Sequence, residues 1–173
     1  MLIWQNGCFF KETSAAGVAA AAVTGPGVFE TMLCRQGRVA FLERHLRRLR
    51  RSCPVVGITA PPVGYLKRAV AEFIAKNKLR CARLRLSLSK TAGGACVTLS
   101  ARPQPRQRRS YALMLETKKK LFASRQTRIK SLRRDFYEDL YARSRSRGFD
   151  EVVFPNAHNE VMEATRTNIF CVK

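Results

Sequence analysis

The sequence predicts an α+β fold: a small N-terminal α+β domain over residues 1–102, a linker over 103–109, and the first part of a larger α/β domain over 110–173. Three observations predict it. Glycine-centred turns separate short apolar runs with a period of two. Two stretches carry the 3.6-residue period of amphipathic helices. A proline- and arginine-rich segment, PQPRQRR, interrupts both patterns at 103–109.

The elements follow in order. Leu2-Ile3-Trp4 and Cys8-Phe9-Phe10 flank Gln5-Asn6-Gly7, and Asn-Gly between apolar runs signals a hairpin because both residues tolerate positive φ. The apolar run Ala15 to Val23 has no cationic segment before it and is short, so it reads as a buried segment or loop rather than a leader. Val28 to Cys34 and Arg38 to Phe41 flank Gln36-Gly37, a second hairpin. A helix is expected from Leu42 to Cys53, with Phe41, Leu42, His45, Leu46 and Leu49 on one face and Pro54 ending it. A second is expected from Val63 to Asn77, with Tyr65, Leu66, Ala69, Val70, Phe73 and Ile74 on one side. Leu84, Leu86 and Leu88 alternate with polar residues, Gly93-Gly94 turns the chain, and Val97, Leu99 and Ala101 alternate again.

Beyond the linker, Tyr111 to Leu115 reads as a strand and Phe136 to Arg147 as a helix ended by Gly148. Val152 to Phe154 is a strand, Pro155 to Asn159 a turn, Glu160 to Glu163 a return strand, and a last strand starts near Asn168. A second unit of about 64 residues buries only about 60% of its unfolded surface. Its final strand would be an open apolar edge, so this unit looks incomplete.

Composition narrows the function classes. A hydrophobic fraction of 46% supports a packed core. No run of about 18 apolar residues is present to span a membrane. The six cysteines lie far apart, no C-x-x-C occurs, and the two histidines are His45 and His158, so no metal site is expected. The thiols read as reduced and the compartment as cytoplasmic. The net charge is +21, and Arg102 to Arg134 carries twelve Lys or Arg against one acid, Glu116. Such a run either attracts polyanions or forms a solvated surface of an arginine-prone chain.

Three places could carry chemistry. In HLRRLRRS, with Phe41 at 0°, Arg48 falls at roughly 340°, beside the apolar face. An arginine at a buried margin can snorkel, or it can offer its fork to a phosphate. In TRIKSLRRDF, Lys130 sits among Arg128, Arg133 and Arg134. Positive neighbours or desolvation ease loss of its proton, and a neutral amine is what an aldehyde requires. It can equally be one more cation in a basic run. Glu163 lies between Met162 and Ala164, where a carboxylate needs a cationic or N–H partner. That partner could be one of the arginines or a protonated pyridine nitrogen. The Thr165–Asn168 turn offers hydroxyls and N–H groups that suit a phosphate.

Together, GVFETMLCRQGRVAFLERHLRRLRRS (27–52), RIKSL (128–132) and GFDEVVFPNAHNEVMEATRTNIF (148–170) resemble the fold-type IV, or class IV, pyridoxal-phosphate enzymes. That family includes the branched-chain and D-amino-acid aminotransferases and 4-amino-4-deoxychorismate lyase. The resemblance implies a larger domain that is barrel-like, and pyridoxal 5'-phosphate as cofactor. Lys130 would carry the internal aldimine and shuttle the α-proton, and Glu163 would pair with the pyridinium nitrogen. Arg48 would hold the phosphate, Thr167 and Asn168 would lie beside the cofactor, and Phe29 and Thr31 would face the substrate. It further implies an amino acid, keto acid or aminodeoxychorismate substrate and a homodimer.

Departures from the family pattern are also legible. Phe29-Glu30-Thr31-Met32-Leu33 stands where branched-chain enzymes show F-E-G-x-R, which leans toward the lyase-like or D-amino-acid-like members. Arg133-Arg134-Asp135 stands where the family often has Tyr or Asn. The chain is expected to be a C-terminally shortened member. The alternative is a non-catalytic basic protein that binds nucleic acid or polyanions through Arg102–Arg134. Tyr111 and Phe122 are the only aromatics there, so base stacking has little support and nucleic acid is not the expected partner. A third possibility is a chain that binds neither cofactor nor nucleic acid.

Overall fold

The computed structural model describes residues 1–21, 25–117 and 129–172. The chain forms two compact units, Met1–Pro105 with Ile129–Arg133, and Arg106–Arg128 with Arg134–Lys173. Residues 129–133 thus group with the first unit, although the sequence expectation put all of 110–173 in one domain.

The first unit is built on a six-stranded sheet in the order β2-β1-β6-β5-β3-β4. The strands are β1 (Leu2–Gln5), β2 (Cys8–Lys11), β3 (Gly27–Arg35), β4 (Arg38–Val39), β5 (Cys81–Thr91) and β6 (Gly94–Arg102), all antiparallel to their neighbours. Both expected tight hairpins form. Gln5 pairs with Cys8 across Asn6 and Gly7, and Arg35 with Arg38 across Gln36 and Gly37. All four turn residues have positive φ, which matches the right-handed twist of the flanking strands.

Ala15–Ala21, expected as a buried segment or loop, is the short helix α1. The Ser14 hydroxyl accepts the Gly17 N–H at 3.0 Å, satisfying one of its orphan donors. Helix α2 (Leu42–Ser52) buries Leu46 and Leu49, and Cys53–Val56 continues as a 3-10 turn at Pro54. Helix α3 (Val63–Lys76) buries Leu66, Ala69, Val70, Phe73 and Ile74. These stripes pack against Val28, Met32, Leu84, Leu86, Leu88 and Leu99 in one core. Asn77 then ties α3 to β1: its Oδ1 accepts the Leu2 N–H at 2.8 Å, and its Nδ2 donates to the Leu2 carbonyl at 3.2 Å.

The segment 129–132 runs antiparallel to the start of β3. The Phe29 N–H donates to the Lys130 carbonyl at 2.9 Å, the Leu132 N–H donates to the Gly27 carbonyl at 2.9 Å, and Val28 bridges Ser131. Gly27 permits this close approach. A Cβ there would lie 2.5 Å from the Leu88 carbonyl oxygen, 3.1 Å from Ser89 Cα, and against Leu132 Cδ1. Gly27→Ala is therefore expected to cost about 1–3 kcal/mol by overpacking. Comparing the two chains' unfolding midpoints in urea checks it; an unchanged midpoint would show that the segment yields freely.

The second unit has a three-stranded sheet, β7 (Leu113–Leu115), β8 (Glu151–Pro155) and β9 (Val161–Ala164), with β7 parallel and β9 antiparallel to β8. Helix α4 (Asp135–Ser146) packs on it through Leu140, Phe136 and Tyr137 against Val152 and Phe154. Gly148, with φ 83°, turns the chain after the helix. The strand expected from Asn168 is absent: residues 168–172 pair with no strand among the described residues, and Phe170 and Val172 are 85% and 92% exposed.

Candidate functional site

Alternation along β3 separates two roles. Val28, Glu30, Met32 and Cys34 are all buried. Phe29 and Thr31 fall on the other parity, cross-strand from Ser87 and Arg85 of β5. Lys130 is partly buried, and its amine lies 5.6 Å from the Phe29 ring centroid, while the Arg85 guanidinium lies 4.0 Å from it. The ring's negative face attracts both cations. Two expected residues, Lys130 and Phe29, are thus drawn together at the start of β3, and Thr31 follows two residues on at the same parity. The Phe29–Lys130 backbone bond fixes where the lysine side chain begins.

Arg48 is engaged with a partner that the sequence reading missed. Its Nε and Nη2 donate to the two carboxylate oxygens of Glu30 at 2.5 and 2.6 Å. His45 Nδ1 lies 2.8 Å from Glu30 Oε2. Glu30 is fully buried, so its charge requires these partners. The hydrogen bond to Glu30 raises the Arg48 pKa further, against the opposing effect of burial. This bidentate contact uses the Nε/Nη2 edge. The Arg48 side chain is 50% exposed, and the end-on Nη1/Nη2 edge of the fork keeps donors for an anion. The signal for Glu30 was present: a carboxylate at an inward parity of an apolar strand, with His45 and Arg48 one helical turn apart.

In the second unit, Glu163 on β9 faces Phe154 on β8 in register. Its Oε1 accepts the Tyr137 hydroxyl at 2.7 Å. Among the described residues, Tyr137 is its only hydrogen-bond partner. Burial pushes the Tyr137 phenol well above its usual range, and the Glu163 carboxylate adds to this. The Thr165–Thr167 turn is organised by another missed residue, the buried Glu151. Its carboxylate accepts the N–H of Val152 at 2.9 Å, those of Arg166 and Thr167 at 3.0 Å each, and the Thr165 hydroxyl. These donors, expected to suit a phosphate, are spent on an internal anion. The Thr167 and Asn168 side chains are exposed. Sequence gave little sign of Glu151 beyond an acid opening an apolar strand.

Of the basic run Arg102–Arg134, residues 118–128 lie outside the described residues. Within the rest, Arg102 pairs with Glu12, Arg108 with Asp150, and Arg134 with Glu138. Among the described residues, no group of His, Cys, Asp and Glu could hold a metal, and no helix is long and apolar enough to cross a membrane.

Comparisons with known proteins extend this geometry. The family model for amino-transferase class IV matches residues 27–173. A bifunctional aminodeoxychorismate lyase / D-amino acid transaminase of Mycobacterium tuberculosis is 46% identical over 50 residues, which is 29% of this chain and 17% of that protein. The PLP-bound form of a hypothetical aminotransferase from Mycobacterium tuberculosis matches with a TM-score of 0.75 at 24% identity, over 96% of this chain and 66% of that one. The 4-amino-4-deoxychorismate lyase from Pseudomonas aeruginosa matches with a TM-score of 0.73 at 21% identity, over 95% of this chain and 65% of that one. The chain therefore spans less than two thirds of the length of these relatives. The structural likenesses establish the α+β, fold-type IV architecture. The family match spans β3, Arg48, the Lys130 segment and Glu163 alike, and the chain belongs to the amino-transferase class IV family.

Proposed function

We propose that the chain is a pyridoxal-phosphate-dependent enzyme, an amino-acid aminotransferase or a 4-amino-4-deoxychorismate lyase, working as a homodimer. The observation that carries this reading is the anchoring of Lys130 against β3 inside the matched family region. The relative whose name joins lyase and D-amino acid transaminase activities supports keeping both reactions open.

The residues present fit the group. Glu163 keeps Oε2 without a protein partner among the described residues, which suits a ring N–H. Arg48 keeps the end-on edge of its fork for the phosphate, and the exposed Thr167 and Asn168 would flank the cofactor. Bound pyridoxal phosphate supplies an aldehyde for amines and a protonated ring that draws charge from the adjacent carbon. Lys130 would hold the cofactor through its aldehyde carbon, and Nζ, freed when the substrate amine takes its place there, would be the base that moves the substrate α-proton. Glu163 would hold the proton on the ring nitrogen by its negative charge. Phe29 and Thr31 would bound the substrate on the sheet side.

The test combines cofactor uptake with turnover. Purified chain incubated with pyridoxal phosphate is expected to acquire a yellow absorption band and to process an amino acid or aminodeoxychorismate. Glu163→Gln is expected to keep the band but lose at least about 10²-fold in turnover, as its neutral amide cannot hold the ring proton. Equal turnover in both chains would remove Glu163 from the mechanism.

A further inference from the structure

We propose that Tyr137 is a positioning residue for Glu163, its phenol fixing one carboxylate oxygen so that the other is presented to the cofactor's ring nitrogen. The inference rests on the reading of Glu163 given above, and it adds a residue from α4 to that site.

The phenol is held in place before any ligand arrives. Tyr137 sits in the first turns of α4, and its ring meets Phe136 edge-on at 5.4 Å and Phe154 edge-on at 5.6 Å. The Arg134 guanidinium lies 4.7 Å from the same ring. Phe154 is also the cross-strand partner of Glu163. The residue that packs the ring therefore pairs with the strand position that carries the carboxylate, and the hydroxyl meets Oε1 at 2.7 Å.

The direction of donation follows from the same surroundings. Burial and the neighbouring carboxylate both keep the proton on the phenol. Tyr137 therefore donates, and the carboxylate accepts. A hydrogen bond to a charged acceptor in fixed geometry limits rotation of the carboxylate about its last torsion. Without it, the carboxylate is held by its backbone alone, since no other described residue bonds it. Ligand sites lose strength when a supporting contact of this kind is removed.

The test is a double-mutant cycle on Tyr137→Phe and Glu163→Gln in the full chain. It reads the equilibrium affinity for pyridoxal phosphate and the pH at which the bound ring nitrogen loses its proton. Tyr137→Phe keeps the ring packing and is expected to weaken cofactor binding about 10-fold, the scale of one hydrogen bond to a charged group. In the Glu163→Gln background the same change is expected to alter affinity less than about 2-fold, because the residue acts through the carboxylate. Tyr137→Phe matching wild type, lowering affinity equally in both backgrounds, or failing to fold would overturn the inference while leaving the role of Glu163 standing. A wild-type chain that takes up no cofactor, or a Glu163→Gln chain that binds and titrates like wild type, would overturn the underlying reading and the inference with it.

Discussion

Replacing Lys130 with alanine is expected to abolish both the yellow absorption of chain incubated with pyridoxal phosphate and any turnover of an amine substrate. The physical reason is that, in the proposed function, one nitrogen would serve two roles: it would hold the cofactor through its aldehyde and, once displaced by the substrate amine, carry the proton taken from the substrate. Proton transfer by a positioned side chain is alone worth about 10²–10⁴-fold, so the activity loss should reach the top of that range. The substitution removes a side chain, while the backbone bond from Phe29 to the residue-130 carbonyl survives. Stability should therefore change little, which separates a chemical from a structural effect. Lys67, ion-paired with Glu43, is the control. Lys67→Ala should leave the band intact. A band that persisted in Lys130→Ala and vanished in Lys67→Ala would reassign the amine.

The largest stability effect is expected at Arg48. Arg48→Met leaves Glu30 fully buried with His45 as its remaining partner among the described residues. Removing one member of a buried ion pair costs about 3–5 kcal/mol because the other charge is left uncompensated. Half of the Arg48 side chain is exposed and water can replace part of its contact, so about 3 kcal/mol is expected. For a chain of this size that corresponds to a fall of roughly 6–12 °C in Tm. Thermal unfolding followed by circular dichroism reads it. The double change Glu30→Gln with Arg48→Met should recover much of the loss, since the buried charge is gone. If Arg48→Met unfolded at the wild-type temperature, the Glu30 clamp would be a contact without energetic weight.

Legibility in the sequence tracked how local each cause was. Asn6-Gly7 and Gln36-Gly37 specify turns through their own φ preferences, and α2 and α3 announce themselves by apolar residues three and four apart. Those causes act within one turn of chain, and these turns and helices formed, except that Phe41, expected at the end of a strand and on the apolar face of α2, caps the helix in the left-handed region and is 69% exposed. The residues that organise the candidate site act at longer range. Arg48 meets Glu30 across 18 residues, Tyr137 meets Glu163 across 26, and Thr167 meets Glu151 across 16. No periodicity reports such pairings, although Glu30 on the inward parity of β3 already demanded a partner. The helix over Ala15–Ala21 was missed for another reason. A run of alanine, glycine and valine has no polar face, so its period cannot be read, and the helix became visible only with its Ser14 cap. The strand expected at Asn168 failed because a β-strand needs a neighbour. The apolar pattern was real, but among the described residues nothing pairs with it.

The proposed function assigns Lys130 as the amine that would meet the cofactor's aldehyde. Reduction of the pyridoxal-phosphate-treated chain with borohydride, followed by digestion and mass mapping, tests it most directly. A phosphopyridoxyl mass is expected on the peptide that contains Lys130. A reduced adduct confined to other lysines, or no adduct at saturating cofactor, would contradict it.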